Sequence, residues 1–187
     1  MKKVILTAIV LVFICSVVQA GTLVEVKTNQ GVIKFELEDE KAPVTVKNFL
    51  SYVDEKFYDG TIFHRVIDGF MIQGGGFDQF PRRKQTKAAI KNEADNGLLN
   101  AKGTIAMART GVIDSATSQF FINLVDNKFL NHRGKTGNTY GYAVFGKVVE
   151  GMDVVEKIGK VRTIVKSPAF RDYPERQVII ESVRRID

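Results

Sequence analysis

Two alternating runs of apolar and polar residues, 22–28 and 32–37, open the patterned part of the chain. In the first run Val24 and Val26 are separated by charged residues, which is the two-residue period of a half-buried strand. Residues 29–31, which form a turn signal ending in glycine, lie between the runs. The pattern therefore predicts a β-hairpin.

The period changes to that of a helix in residues 43–57. The apolar residues at helical spacing in this segment are Val46, Phe49, Leu50, Val53 and Phe57. Proline is tolerated in a first helical turn, so the sequence predicts a helix from about Pro43 to Phe57. A second, shorter helix is predicted over residues 152–158.

Six more strand-like runs follow the first helix. They are residues 61–67, 70–73, 104–108, 119–124, 143–149 and 177–186. Together with the hairpin they make eight strands, and many short strands with two helices predict a mainly β protein, a closed barrel whose open ends are covered.

The irregular stretch 74–103 is predicted to be a surface loop, and loops of this length are usually functional. It begins with three consecutive glycines at 74–76. They lack the GxxxxGK[ST] frame of a phosphate-binding loop. We therefore interpret them as a tight backbone turn that leaves a strand.

The first twenty residues have the layout of a secretory signal peptide. Lys2 and Lys3 precede an almost wholly apolar run over 4–18, and residues 18–20 resemble a cleavage site before Gly21. An uncleaved anchor is the alternative, but the run is shorter than the roughly 20 residues of a membrane span. We expect cleavage after Ala20 and no stable membrane anchor.

Cleavage after Ala20 would leave 167 residues, numbered 21–187, with a formal charge of +4. It would also remove Cys15, the only cysteine, so the mature chain would have no disulfide and no thiol chemistry. The short signal and the absence of cysteine favour a bacterial periplasmic location, with secretion as the alternative.

The composition indicates one globular domain over residues 21–187, which we expect to be monomeric. The chain has 187 residues, 44% hydrophobic and 26% charged, with a formal charge of +6. A basic chain can bind nucleic acid, but the one run of closely spaced basic residues is confined to a short segment. Its members are Arg82, Arg83, Lys84 and Lys87. We interpret this run as a solvated part of a loop that favours acidic substrate segments, and we expect no nucleic-acid partner.

Hydrolytic and metal-dependent functions find little support in the sequence. The two histidines, His64 and His132, stand alone without HExxH or paired ligand spacing, and no GxSxG motif occurs. We therefore expect neither a metal nor another cofactor.

The densest group of distinctive residues lies in 63–75. On a regular strand Phe63 and Arg65 would share one face, and the apolar Phe70 and Met71 follow closely. From the residues alone, Arg65 is equally well explained as an ion-paired residue at a barrel edge or as a functional group.

Four sequence blocks resemble the cyclophilins, most closely the bacterial periplasmic type. They are FHR at 63–65 with FMIQGG at 70–75, GTIAMA at 103–108, SQFFI at 118–122 and YAVFGKV at 142–148. They occur in order along essentially all of the mature chain. The resemblance implies a closed eight-stranded antiparallel β-barrel capped by two α-helices and a peptidyl-prolyl cis–trans isomerase activity.

The resemblance also assigns roles to residues. It implies that Arg65 is the catalytic arginine and that Gln73 is its neighbour, and we expect Gln73 to hold the guanidinium by a hydrogen bond. The hydrophobic proline pocket would be lined by Phe70, Met71, Phe121 and Leu130. The groups implied to flank the substrate chain are Ala108, the backbone of Arg109, and Gln119.

The resemblance also covers three further positions near the implied site, each with a different expected role. His64 matches a position beside the site without a proton-transfer role. Phe129 stands at the rim where many eukaryotic cyclophilins have a tryptophan whose indole N–H helps to bind cyclosporin, so only weak cyclosporin binding is expected. Tyr142 aligns with a histidine at the pocket edge, a role that His132 should not inherit.

The implied partners are proline-containing peptides and unfolded exported proteins. A secreted, chaperone-like module that binds proline-containing unfolded segments with little turnover is the alternative function. The intact Arg65 and Gln73 favour the enzyme.

Overall fold

The computed structural model of the chain describes residues 21–186, so the predicted signal peptide of residues 1–20 lies outside the described residues. Within them, eight strands close into a barrel. These strands are β1 Leu23–Thr28, β2 Gly31–Leu37, β3 Thr61–Ile67, β4 Met71–Asp78, β5 Thr104–Met107, β6 Phe120–Asn123, β7 Val144–Glu150 and β10 Val178–Ile186. Two short strands, β8 Thr163–Ile164 and β9 Tyr173–Pro174, form a separate sheet that the sequence did not predict.

The barrel order is β1-β10-β3-β4-β6-β5-β7-β2, and each neighbouring pair is antiparallel. The predicted fold class is therefore confirmed, including the hairpin of β1 and β2. Alternation explains the first strand well, because Val24 and Val26 are fully buried while Lys27 is exposed.

Two α-helices accompany the barrel, α1 Pro43–Asp54 and α2 Met152–Gly159. The first ends earlier than the predicted Phe57, because Lys56 adopts a positive φ of 55° that a right-handed helix does not allow. The remaining predicted apolar positions of this helix are buried, namely Val46, Phe49, Leu50 and Val53. No helix within residues 21–186 is both long enough and apolar enough to cross a bilayer.

Aromatic rings fill the centre of the barrel. Phe120 contacts Phe49 and Tyr58 edge-on, each with 5.6 Å between ring centroids, and Phe35 at 6.3 Å. All four side chains have no solvent exposure. Edge-on aromatic contacts add to the energy of simple burial, so the interior is a packed core and the functional site must lie elsewhere.

The interpretation of 74–76 as a turn is wrong, because these glycines lie inside β4. Gly75 has a φ of +80° where the pairing of β3 with β4 shifts register, a backbone conformation that glycine adopts without strain. A Cβ on Gly76 would come within 2.5 Å of the Gln119 side chain. The glycine therefore lets Gln119 lie directly against β4.

The long surface loop begins only after Asp78 and covers residues 79–103, which contain isolated bridge pairs but no strand. Its Glu93 carboxylate accepts hydrogen bonds from the N–H groups of Val44, at 3.1 Å, and Thr45, at 2.8 Å. These donors belong to the first turn of α1, where backbone N–H groups have no partner within the helix. The loop is thereby fastened to α1.

Candidate active site

Four neighbouring strands place the central residues of the site in one row on the outside of the barrel. The register pairs Arg65 of β3 with Gln73 of β4, Gln73 with Phe121 of β6, and Phe121 with Ala106 of β5. Side chains of directly paired residues lie on the same face of a sheet. Strand register thus brings together residues from three separate parts of the sequence.

The expectation that Phe63 and Arg65 share a face is wrong. Phe63 pairs with Gly74 and Arg65 pairs with the adjacent Gln73, so β3 advances two residues while β4 advances one. This is a β-bulge, which interrupts the alternation of side chains. Phe63 packs in the barrel core with an exposed fraction of 1%, whereas Arg65 lines a groove on the outer surface.

A pocket of about 140 Å³, lined by both apolar and polar side chains, opens beside this row. Its walls are Arg65, Phe70, Met71, Gln73, Ala108, Arg109, Phe121, Leu130 and Tyr142. Met71, Phe121 and Leu130 belong to a small apolar cluster that is separate from the barrel core. The structure therefore brings together all four residues expected to form the proline pocket.

Polar groups occupy the other side of the row. The Nε–H of Arg65 donates to Oδ2 of Asp172 at 3.2 Å, and Nε2 of Gln73 donates to Oε1 of Gln119 at 2.9 Å. The expected hydrogen bond between Gln73 and the guanidinium does not occur within residues 21–186. Gln73 is held by Gln119, and Arg65 is held by Asp172.

His64 lies in the bulge beside Arg65 and is 6% exposed. Its ring packs against Phe77, with centroids 4.7 Å apart, and Phe170, at 6.2 Å. Burial in this apolar setting, helped by the positive charge of Arg65, lowers the pKa of His64 to about 4. At neutral pH His64 is therefore an uncharged wall beside the guanidinium.

Arg109 has a different part in the pocket wall. Its Nε donates to the Gly141 carbonyl at 2.8 Å and its Nη2 to the Gly137 carbonyl at 2.7 Å. The guanidinium also lies 4.8 Å from the centre of the Tyr142 ring. The guanidinium of Arg109 is therefore hydrogen-bonded to backbone carbonyls, and its role is to support the pocket wall rather than to bind a ligand in the groove.

Comparison with known proteins identifies the family of the chain that carries this groove. Residues 23–185 match the family described as "Cyclophilin type peptidyl-prolyl cis-trans isomerase/CLD". The chain belongs to the cyclophilin family. The predicted family is thus confirmed, and the chain is a peptidyl-prolyl cis–trans isomerase.

Curated relatives and solved structures agree with this family. The chain is 58% identical over 161 residues to peptidyl-prolyl cis-trans isomerase B of Escherichia coli, covering 86% of this chain and 98% of the relative. It is 54% identical over 166 residues to peptidyl-prolyl cis-trans isomerase A of Dickeya dadantii, covering 89% and 85%. A crystal structure of a Cryptosporidium parvum cyclophilin, obtained in the presence of the dipeptide Ala-Pro, matches with a TM-score of 0.72 and 28% identity over 88% of this chain and 99% of that one.

The rim of the pocket in this cyclophilin is aromatic. Phe129 is 59% exposed and stacks on Phe70 with centroids 5.6 Å apart. Tyr142 lines the pocket, whereas Nδ1 of His132 lies 2.7 Å from the backbone oxygen of Tyr140 and His132 is not among the pocket-lining residues. The structure therefore places Tyr142, and not His132, in the pocket wall.

Most of the basic run contacts groups of the protein itself. Three of its four cations have partners, which are the Asp78 carboxylate for Arg82, the Phe57 carbonyl for Lys84 and the Glu55 carboxylate for Lys87. Arg83 lines a cavity of about 110 Å³ that it shares with Gln73, Ala108 and Gln119. Arg83 is thus the member of the run that lies beside residues of the pocket wall.

Asp172 is the residue at this site that the sequence analysis missed. It is 107 positions from Arg65, in a segment between α2 and β10 for which the pattern predicted no element. A single aspartate without a surrounding motif carries no sequence signal for such a contact. Within residues 21–186 no group of three His, Cys, Asp or Glu side chains has the arrangement of a metal site.

Proposed function

We propose that this cyclophilin accelerates the isomerisation of X–Pro bonds in exported, unfolded proteins, with Arg65 as its catalytic residue. The observation that supports this role is the position of Arg65 in the wall of a pocket that it shares with Phe70, Met71, Phe121 and Leu130. An apolar pocket with a few convergent polar groups is the usual form of a small-ligand site. The relative crystallised in the presence of Ala-Pro supports an X–Pro segment as the ligand.

The reaction explains why an arginine is sufficient. An X–Pro bond turns slowly because the amide has partial double-bond character, with a barrier of about 18–20 kcal/mol, and the uncatalysed time is tens to hundreds of seconds. No bond to the proline breaks. The enzyme needs only to weaken the conjugation between the prolyl nitrogen and the carbonyl.

Arg65 donates a hydrogen bond toward the prolyl nitrogen as that nitrogen becomes pyramidal in the transition state. A guanidinium is permanently charged and presents its donors in a rigid planar fork. An acceleration of about 10⁵ requires only about 7 kcal/mol of transition-state stabilisation. A preorganised charged donor contributes several kcal/mol toward this in a site that excludes water.

The apolar pocket holds the proline ring while the carbonyl side of the bond rotates. Met71 and Phe121 are almost fully buried, 2% and 4% exposed, so their side chains are fixed before a ligand arrives. The Gln73–Gln119 pair fixes the polar wall beside them. A rigid wall keeps the ring and the donor in register through the rotation.

The cellular part of the proposal rests on the sequence of residues 1–20, which has the layout of a signal peptide. We expect the protein to be exported to a bacterial periplasm and to begin at Gly21 after processing. N-terminal sequencing of the protein purified from a periplasmic fraction tests this. An intact Met1 on protein recovered from the cytoplasm would contradict it.

Replacement of Arg65 tests the catalytic role. We expect Arg65→Ala to lower kcat/KM for an X–Pro peptide at least tenfold with an unchanged circular dichroism spectrum, and Arg65→Lys to be only partly active. Arg82→Ala is the matched control, because Arg82 is an exposed arginine paired with Asp78 away from the pocket. Wild-type turnover in Arg65→Ala would exclude the proposed role.

The same variant separates the enzyme from a chaperone-like binding module. We expect Arg65→Ala to retain peptide affinity, measured by calorimetry, while its turnover falls. Clients rescued from aggregation equally well by Arg65→Ala and by the wild type would favour the binding module as the cellular function.

A further inference from the structure

The guanidinium of Arg65 has one protein partner within residues 21–186, the Asp172 carboxylate bonded through Nε–H. A guanidinium carries five N–H donors in one plane. Fixing Nε therefore fixes the orientation of the plane and leaves the four N–H groups of Nη1 and Nη2 for a ligand. The side chains of Arg65 and Asp172 are 43% and 36% exposed, and a pair so exposed contributes little to overall stability.

The backbone of Asp172 is held against the strand that carries Arg65. The N–H of Val66 donates to the Asp172 carbonyl at 2.9 Å, and the next residue, Tyr173, is buried in the short strand β9. Phe170 packs edge-on against Tyr173 at 5.7 Å and against Phe77 at 5.0 Å. The carboxylate is thus placed by a fixed segment rather than by a mobile loop.

The amide pair on the other side of the row does not perform this task. Gln73 donates to Gln119 and not to the guanidinium, and His64, which is neutral because burial lowers its pKa to about 4, contributes a wall without charge. Asp172 is therefore the group that decides where the free N–H groups of Arg65 point.

We propose that Asp172 is a positioning residue for isomerisation, which holds Nε of Arg65 so that its terminal N–H groups face the prolyl nitrogen. The inference rests on the catalytic role of Arg65 proposed above. An arginine side chain has many rotamers, and restricting it before the substrate binds reduces the ordering needed in the transition state. The effect should therefore appear in kcat more than in KM.

Two replacements of Asp172 test the inference. We expect Asp172→Ala to lower kcat at least fivefold for an X–Pro peptide, with KM within twofold of the wild-type value. We expect Asp172→Asn to retain at least half of the wild-type kcat, because its amide oxygen can still accept the Nε–H bond. Glu175→Ala is the matched control in the same segment, since Glu175 pairs with Arg162 at 3.5 Å and does not contact Arg65; its kinetics should be those of the wild type.

A double variant separates this inference from the proposed catalytic role. In an Arg65→Ala background, Asp172→Ala should lower kcat no further. Wild-type kcat in Asp172→Ala, with Arg65→Ala slow, would overturn the positioning role and leave the catalytic role intact. Equal losses in Asp172→Asn and Asp172→Ala would also overturn it, whereas wild-type turnover in Arg65→Ala would overturn the catalytic proposal itself.

Discussion

Two adjacent rows of residues cross β3, β4, β6 and β5, one facing the barrel interior and the other facing the groove. The inner row consists of Val66, Ile72, Ile122 and Ile105. The outer row consists of Arg65, Gln73, Phe121 and Ala106. The inner residues are all β-branched and at most 2% exposed, whereas the outer row changes from a charged group to an apolar one along its length.

The difference shows how one sheet performs two tasks. Successive residues of a strand point to opposite faces, so the inner row can be selected for packing while the outer row is selected for chemistry. The inner row packs within the barrel core with at most 2% exposure, whereas the outer row borders an open pocket of about 140 Å³. Stability and catalysis should therefore respond separately to changes in neighbouring residues.

The largest expected effect is on stability and comes from the inner row. Ile122 is fully buried, so Ile122→Ala should lower the free energy of unfolding by about 2–5 kcal/mol through lost contacts and the cavity that remains. Urea denaturation followed by circular dichroism measures this. We expect kcat/KM per folded molecule to stay near the wild-type value.

The corresponding test of the outer row uses Phe121, which precedes Ile122 on β6. Phe121→Leu keeps an apolar side chain but removes a flat wall of the pocket, so kcat/KM should fall roughly tenfold with a smaller loss of stability than Ile122→Ala. If Ile122→Ala and Phe121→Leu lose activity and stability in the same proportion, the separation of the two rows is wrong.

The next effect concerns His64, which is buried although it lies outside the barrel. Its pKa is about 4 in the folded protein and about 6.5 in an unfolded chain. The unfolded state therefore binds the proton more readily than the folded state. As the pH falls from 6.5 toward 4, protonation of His64 favours the unfolded state, and the free energy of unfolding decreases. At pH 5 this loss should be about 2 kcal/mol.

The variant His64→Phe isolates this contribution, since a phenyl ring suits the contacts with Phe77 and Phe170 and does not titrate. Urea unfolding at pH 7, 6 and 5 should show that the variant loses less stability on acidification than the wild type. Parallel pH profiles of the two proteins would contradict burial of a neutral imidazole at this position.

The smallest expected effect is at the exposed rim of the outer face. Phe129 lacks a hydrogen-bond donor, and Phe129→Trp supplies an indole N–H at an exposed position. One neutral hydrogen bond is worth about 0.5–1.5 kcal/mol, so inhibition of X–Pro isomerisation by cyclosporin should become roughly two- to tenfold stronger. Activity without inhibitor serves as the control, and an unchanged inhibition constant would show that the rim residue does not govern cyclosporin binding.

Local patterns were sufficient for most of the elements. Alternation predicted β1 and β2 to within a residue or two, and helical spacing predicted the buried face of α1. These predictions succeed because burial of one face requires a fixed period in the sequence. Patterns were insufficient at Lys56, where a positive φ ends α1, and at 74–76, where glycines continue a strand instead of leaving it.

The candidate site shows the same division. The sequence blocks pointed to the residues of the pocket, and the structure places Phe70, Met71, Phe121 and Leu130 around one cavity. The hydrogen-bond partners within the site were not predictable, because Gln73 lies near Arg65 in sequence but bonds to Gln119. Hydrogen-bond partners depend on side-chain geometry across strands, which a linear pattern does not contain.

By itself the sequence determined that the chain forms a closed barrel of the cyclophilin type with an arginine near the residues of a pocket, because period and motif are local properties. Only the tertiary structure decided that a bulge turns Arg65 away from the face of Phe63, that strand register aligns it with Gln73 and Phe121, and that Asp172 holds it. Register and loop placement follow from contacts between residues far apart in the chain, and such contacts form only when the barrel closes.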